Sequence, residues 1–339
     1  MNKFSFASPA VAGEAIEIVA SEPGSMYVAG GTNLLDLWKY NITQPDLLVD
    51  INKLDNHHAI ERLPDGGLRL GALATNAATA YHPMIEERYP LLSKTILAGA
   101  SPQIRNMATN GGNLLQRTRC YYFYDVNTPC NKREPGTGCS AIGGYNRIMG
   151  ILGTSDDCIA TFPSDMCVAL AALDARVNVS GPKGERTIPF ADFHRLPGDH
   201  PEIDNDLRKG ELITSIDLPP DNLTTHNSYL KIRDRNSYAF ALVSVATAFE
   251  LENGTIKDIR IALGGVAHKP WRVPEAEAAL IGRQPDDESF ALAAEIILRG
   301  AKPYTFNSFK IELAKRAIIR NGRMALNPSS QLPGARPSA

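Results

Sequence analysis

The sequence has no apolar run long enough to cross a bilayer. Its longest, Ala239 to Phe249, has eleven residues and lies between Arg235 and Glu250, whereas a membrane helix needs about 20. It also lacks an excess of positive charge: 35 Lys and Arg stand against 37 Asp and Glu, and a net charge of −2 leaves no footprint for nucleic acid. Neither Gly-x-x-x-x-Gly-Lys-Ser/Thr nor Gly-x-Gly-x-x-Gly occurs, which excludes a P-loop and weakens a Rossmann reading. There is no Gly-x-Ser-x-Gly elbow and no His-Glu-x-x-His, so the familiar serine-hydrolase and zinc-protease signatures are absent too. Cysteine is scarce, at 5 in 339 residues, too few for a disulfide scaffold. Glu14 and Glu17 interrupt any signal-peptide core, so export, if it occurs, is expected to rely on a partner.

What remains is a composition of 43% hydrophobic and 21% charged residues, that of a soluble globular chain of two or three domains. The stretch Met26 to Leu37 organises it. Tyr27 to Ala29 predicts a short strand, Gly30-Gly31 a turn, and Thr32 and Asn33 stand where a helix over Leu34 to Tyr40 begins. Two glycines without Cβ let the backbone turn its N–H groups toward one point, where the Thr hydroxyl, the Asn amide and the helix dipole favour a phosphate or pyrophosphate. An ordinary capped turn has the same composition. A second element, Ala108-Thr-Asn-Gly-Gly-Asn-Leu114, repeats the pairing of Gly-Gly with Thr and Asn. Two such loops suit opposite sides of a pyrophosphate, or one of them a flavin ring.

From Arg117 to Ile159 periodicity fades, and Cys120, Cys130, Cys139 and Cys158 follow at intervals of nine, eight and eighteen residues. The stretch reads as an insertion held by something other than an apolar core. A metal centre supplies such fixed points. Structural zinc favours close Cys-x2-Cys pairs, whereas an iron–sulfur cluster accepts widely spaced thiolates; disulfides or free thiols stay open as well. Arg117, Arg119, Lys132 and Arg133 would offset thiolate charge, and Tyr121, Tyr122, Phe123 and Tyr124 would exclude water. Cys167, spaced helically with Leu170, Ala171 and Asp174, reads as a core thiol.

The remaining elements are read from periodicity and turn residues. A strand over Phe4 to Phe6 and a helix over Ala10 to Ala20 open the chain, and Asp46 to Ile51 and Leu68 to Leu73 read as strands. Leu91 to Ala100 and Met166 to Asp174 predict helices, the latter capped by Ser164 or Asp165. Arg176 to Ser180, Arg186 to Pro189 and Glu211 to Leu218 follow as strands, and Pro219-Pro-Asp-Asn222 marks a boundary. Beyond it come strands Ser228 to Arg233, Ala239 to Glu250 and Thr255 to Gly264, with Asn253-Gly254 as a hairpin turn. Helices are expected over Glu275 to Ile281, Asp287 to Arg299 and Ser308 to Arg320, before a flexible tail.

With Val28-Ala-Gly-Gly-Thr-Asn-Leu-Leu35, Ala108-Thr-Asn-Gly-Gly-Asn-Leu114 and Pro163-Ser-Asp165 in this order, nearly the whole chain resembles the FAD-binding subunit of the xanthine dehydrogenase family of molybdenum hydroxylases. Lys231, in Tyr-Leu-Lys-Ile-Arg, and Ile261-Ala-Leu-Gly-Gly-Val-Ala267 extend the likeness. The cysteine insertion is similar to that of periplasmic three-subunit bacterial aldehyde oxidoreductases, with 4-hydroxybenzoyl-CoA reductase carrying a related one. The resemblance implies an α+β fold: a PCMH-type FAD-binding domain over 1–222, made of two small α/β subdomains with an iron–sulfur insertion at 117–159. A CO dehydrogenase flavoprotein-type C-terminal domain follows over 226–325, then a tail over 326–339. It implies FAD held by Ala29, Gly30, Gly31, Thr32, Asn33, Leu34, Leu35, Thr109, Gly112, Asn113, Asp165, Ile213 and Lys231. A 4Fe-4S cluster would be held by Cys120, Cys130, Cys139 and Cys158. The family often stacks an aromatic on the flavin near Gly99 to Ser101, where this chain has small residues. The implied role is electron transfer. A molybdenum-cofactor subunit would oxidise an aldehyde, and a 2Fe-2S subunit would pass electrons to FAD here and on to an external acceptor. The location would be periplasmic by co-export, or cytoplasmic. A zinc-stabilised interaction module is the non-redox alternative.

Overall fold

The computed structural model describes residues 2–220, 223–236 and 238–328. Strands β1 (Ser5–Ala7), β2 (Ser25–Val28) and β3 (Leu47–Asp50) form a parallel sheet in the order β1-β3-β2. The parallel neighbours β2 and β3 are joined through helix Leu34–Lys39, and β1 is joined to β2, on the far edge of the sheet, by helix Ala12–Ser21. It buries Ala15, Ile16 and Val19 against Val49, Ile51 and Leu54.

Strands β4 (Ile60–Arg62), β5 (Leu68–Gly71), β6 (Arg176–Gly181), β7 (Gly184–Pro189) and β8 (Leu212–Leu218) form a second sheet, antiparallel, in the order β4-β5-β8-β6-β7. The glycine element at 108–114 and the cysteine-rich stretch lie in the chain between β5 and β6. A third sheet, antiparallel, runs β12-β11-β10-β9 through β9 (His226–Ile232), β10 (Val243–Glu252), β11 (Thr255–Gly264) and β12 (Trp271–Arg272). Its β10–β11 turn has Asn253 and Gly254 at φ 53° and 82°, the two positive values that an Asn-Gly hairpin turn requires. Helices Asp287–Ile297 and Phe309–Leu326 bury Phe290, Ala293, Ala314 and Ile318 in the same core as Val245, Phe249 and Ile261 of this sheet.

Helix Asp165–Ala172 joins the two larger sheets. Seven of its eight residues are buried, and it touches helix Pro90–Ala98 on one side and β10, β11 and β12 on the other. A helix that is apolar almost all round can only lie inside. Its polar first turn, Ser164-Asp165, is thereby carried to the middle of the molecule.

Several expected bounds shift. The strand expected from Ala239 begins at Val243, and Ala239 and Phe240 line a cleft instead. The helix expected to reach Ala100 ends at Ala98, and Ala100 takes φ 52°. The last helix runs on to Leu326, burying Asn321 and Ala325. The cysteine-rich stretch departs from the expectation that it has no apolar core. Phe123, Ala141, Met149, Ile159 and Ala160 are buried around Cys120, Cys130 and Cys158, with Leu37 from the first subdomain. Periodicity missed this core because its residues come from turns and two four-residue helices, Tyr121–Tyr124 and Ser140–Gly143. Most of the expected tail, and Asp221-Asn222 at the expected boundary, lie outside the described residues.

His194 is packed among Phe162, Phe190 and Phe193, with Nε2 2.8 Å from the Leu114 carbonyl. Burial pulls its pKa down to about 4. The unfolded chain then binds a proton between about pH 6.5 and 4 that the folded chain refuses, so stability falls as pH falls through this window. The expected loss is about 3 kcal/mol. His194→Phe should flatten that part of a pH series of denaturant midpoints, and an unchanged slope would contradict the assignment.

Candidate functional site

The first glycine element leaves β2 at Val28 and enters helix Leu34–Lys39. Gly31 takes φ +70°, a conformation that side chains with a Cβ rarely adopt. Gly30 is fixed by contact: a Cβ there would lie 1.8 Å from the Met107 carbonyl oxygen. The first element therefore rests on the backbone that leads into the second. Thr32 and Asn33 line the cleft that opens here. Asn33 Oδ1 accepts from the Arg117 N–H at 3.0 Å, while its Nδ2 is buried on the side of the Tyr124 hydroxyl.

In the second element the Thr109 hydroxyl caps its own helix, accepting from the Gly112 N–H at 3.2 Å. Asn113 donates from Nδ2 to Asn76 Oδ1 at 2.7 Å and accepts from the Ser164 hydroxyl at 2.5 Å. Ser164 in turn caps helix Asp165–Ala172. This chain of caps fixes three helix starts around one space.

Asp165 and Lys231 form a buried ion pair across the two domains, Oδ2 to Nζ 2.7 Å, with side chains 9% and 5% exposed. Asp165 Oδ1 also accepts from the Tyr229 hydroxyl at 2.5 Å, and Lys231 donates to the Ala98 carbonyl at 3.1 Å. Burial, then the Asp165 charge, raises the Tyr229 pKa well above its ordinary value, so the phenol stays a donor. Lys231→Met would strand a buried carboxylate. It is expected to lower the unfolding free energy by about 3 kcal/mol, with part of the loss restored by adding Asp165→Asn. Strictly additive losses in the double variant would contradict the coupling.

These groups line a cleft of about 200 Å³. Its ionic lining is Arg105, Arg119 and Lys231 against Asp36 and Asp165, an excess of positive charge. Arg105 Nε and Arg119 Nε are buried and unpaired. The aromatic side chains on it come from Tyr238 and Phe240 of the 239–242 turn region, not from Gly99 to Ser101.

The structure brings Thr32, Asn33, Gly112, Asn113, Asp165 and Lys231 to the cleft. Ala29, Gly30, Gly31, Leu34 and Leu35 shape the first element behind it without being among its lining, and Thr109 serves as a cap. Ile213 is not brought to it; it is 5% exposed on β8, inside the core of the second sheet. Sequence reasoning missed Asn76, Arg105, Gln116, Tyr238 and Phe240. Of these only Thr75-Asn76, a polar helix start, carried a local signal.

Residues 2–221 match the family described as FAD binding domain in molybdopterin dehydrogenase. The chain belongs to that family. Residues 228–320 match the CO dehydrogenase flavoprotein C-terminal domain. Among curated relatives, the chain is 48% identical over 297 residues to the aldehyde oxidoreductase FAD-binding subunit PaoB of Escherichia coli (strain K12), covering 87% of this chain and 90% of the relative. It is 27% identical over 286 residues to the glyceraldehyde dehydrogenase medium chain of Sulfolobus acidocaldarius, covering 84% of each. The fold is that of a chain of the carbon monoxide dehydrogenase of Hydrogenophaga pseudoflava, with a TM-score of 0.75 over 96% of this chain and 98% of that one, at 24% identity.

As an FAD-binding subunit the chain fits its cofactor by its own chemistry. The cleft carries Arg105, Arg119 and Lys231 against Asp36 and Asp165, and a net positive lining is what an anionic dinucleotide requires.

A second, small cavity lies within the cysteine-rich stretch and is lined by Cys120, Cys130, Cys139 and Cys158 together with Lys132 and Asp157. None of the five cysteines is in a disulfide. Burial, then the neighbouring thiols among lesser causes, pushes the Cys120 thiol up to about 12, and burial pushes that of Cys158 up to about 11. Among the described residues no group of three or more His, Cys, Asp and Glu is arranged to hold a single metal ion. Cys167 stands apart, fully buried in the main core.

Proposed function

We propose that this chain is the electron-transfer flavoprotein subunit of a molybdenum-dependent aldehyde oxidoreductase. The observation that carries the reading is the convergence on one cleft of both glycine elements, the Ser164-Asp165 helix start and Lys231 of the C-terminal domain. Bound FAD supplies the capacity to take electrons from one carrier and give them to another; the protein supplies binding, orientation and charge. The first element, Ala29 to Leu35, presents its turn and helix start to the diphosphate. Thr109, Gly112 and Asn113 hold the second face, and Asp165 and Lys231 lie where the two domains meet. Tyr238 and Phe240 provide aromatic cover in place of the missing residue near Gly99 to Ser101.

The insertion carries a 4Fe-4S cluster on Cys120, Cys130, Cys139 and Cys158. Four thiols lining one cavity at wide sequence spacing, with no close Cys-x2-Cys pair, support a cluster over a lone zinc ion. Electrons arrive from a 2Fe-2S subunit fed by a molybdenum-cofactor subunit and leave to an external acceptor. The aldehyde follows from the name of the 48% identical relative. The chain purified alone is expected to show no aldehyde oxidation and to gain it, with dye reduction, only when combined with a 2Fe-2S chain and a molybdenum chain. Sustained aldehyde turnover by the isolated, molybdenum-free chain would overturn the reading.

A further inference from the structure

The cysteine-rich stretch does more than hold its own cavity, because its first residues form part of the flavin cleft. Gln116 and Arg119 line that cleft, and Cys120, the next residue in the chain, lines the thiol cavity. Neighbouring Cα atoms are about 3.8 Å apart, so one peptide unit forms a wall shared by both spaces.

Arg119 is held from three sides. Its Nη1 donates to the Tyr124 hydroxyl at 2.6 Å, within the insertion. It faces Asp36, on the helix that follows the first glycine element, at 3.7 Å. Its guanidinium also lies 5.0 Å from the centre of the Phe240 ring, which belongs to the turn at the edge of the C-terminal domain. After these contacts Nε remains buried with no partner. The guanidinium is thereby fixed as a positive charge at the cleft, where an anionic ligand is favoured.

A second linkage runs alongside. The Arg117 N–H fixes Asn33 of the first glycine element. The Arg117 side chain binds Asp204 at 2.6 Å, and Asp204 also pairs with Lys132, which lines the thiol cavity. The insertion thus orients one cleft residue through its backbone and supplies another directly.

We propose that Arg119 is an FAD-binding residue contributed by the insertion, placing its positive charge against the bound cofactor, so that flavin affinity depends on the insertion being folded around its metal cluster. This rests on the cluster reading above. Removing the cluster releases the Cys120 end of the shared wall, Arg119 loses its fixed direction, and the cleft loses a charged donor. By linkage, bound FAD stabilises the folded insertion to the same extent.

The test is a titration of flavin-stripped, anaerobically purified full chain with FAD, read by fluorescence quenching, with the iron retained and after its removal by chelator. The parent is expected to bind FAD about tenfold more weakly once iron is removed, within the usual range of coupling between sites. Arg119→Met with iron retained should already be about tenfold weaker, and iron removal should cost it much less than it costs the parent. Arg119→Lys should fall between, since it restores charge but not the fixed fork of donors. If Arg119→Met itself loses iron, Arg119→Lys decides in its place. FAD affinity in the Arg119 variants equal to that of the parent, or an equal loss on iron removal in parent and variant, would overturn the proposal. No iron in the parent as purified would overturn the cluster reading instead; iron present with FAD affinity indifferent to its removal would overturn the coupling alone.

Discussion

Gly30→Val is expected to weaken FAD binding by one to two orders of magnitude while the C-terminal sheet stays folded. The cause is contact with backbone: the new Cβ would meet the Met107 carbonyl oxygen at 1.8 Å and its carbon at 2.7 Å. No rotamer change relieves that. The first glycine element must lift away from residues 107–108, or those residues must move and drag Thr109 to Asn113 with them. Overpacking of this kind costs roughly 1–3 kcal/mol, here charged mainly to the arrangement that binds flavin. Gly31→Val acts differently and less strongly, since its obstacles are the Leu35 and Val28 side chains and its penalty is the φ of +70°. Gly13→Ala is the control: nothing lies within 4 Å of its Cβ, and it sits in helix Ala12–Ser21, where alanine is favoured. Flavin content and affinity of Gly30→Val equal to those of Gly13→Ala would contradict the account of the first element.

Replacing any one of Cys120, Cys130, Cys139 or Cys158 with serine is expected to lower bound iron to a small fraction of the parent's and to loosen residues 117–159. Cys167→Ser should leave iron unchanged. The first four line one cavity. Cys167 is fully buried on a helix among Met166, Val168 and Leu170. Loss of one ligand from a cluster site leaves buried thiols that burial holds protonated, as at Cys120 and Cys158. The binding free energy that ordered the loop goes with it. Because Arg119 and Gln116 line the flavin cleft, flavin affinity should fall as well, by less than iron content does. Full iron in Cys130→Ser, or iron lost from Cys167→Ser alone, would show that the ligand set is wrong.

The sequence made both glycine elements legible because each concentrates Gly, Thr and Asn at a strand or helix end, where backbone conformation dictates residue type. The Asn-Gly turn at 253–254 and the helix start at Ser164-Asp165 were legible for the same reason. Arg105 and Arg119 were not legible as cleft residues. Nothing local marks an arginine that is buried by elements distant in the chain, as Arg119 is by Asp36 and Phe240. The strand expected from Ala239 is present but starts four residues later, for a tertiary reason: Ala239 and Phe240 are apolar enough to pair, yet they line the cleft. The insertion's small core escaped notice because period-based reading needs elements longer than the four residues of Tyr121–Tyr124 and Ser140–Gly143. Cysteine spacing alone left cluster, zinc and disulfide open, and a shared cavity without disulfides narrows that choice.

The central claim is that one chain holds FAD in the cleft and an iron–sulfur cluster in the insertion. Its most direct test is a visible spectrum of the anaerobically purified full chain, combined with analysis of flavin, iron, sulfide and zinc. The account predicts one FAD and one 4Fe-4S cluster per chain, with broad cluster absorbance beneath the flavin bands that bleaches on reduction. A yellow protein containing zinc and no iron would contradict the cluster, and a colourless protein that takes up no added FAD would contradict the account as a whole.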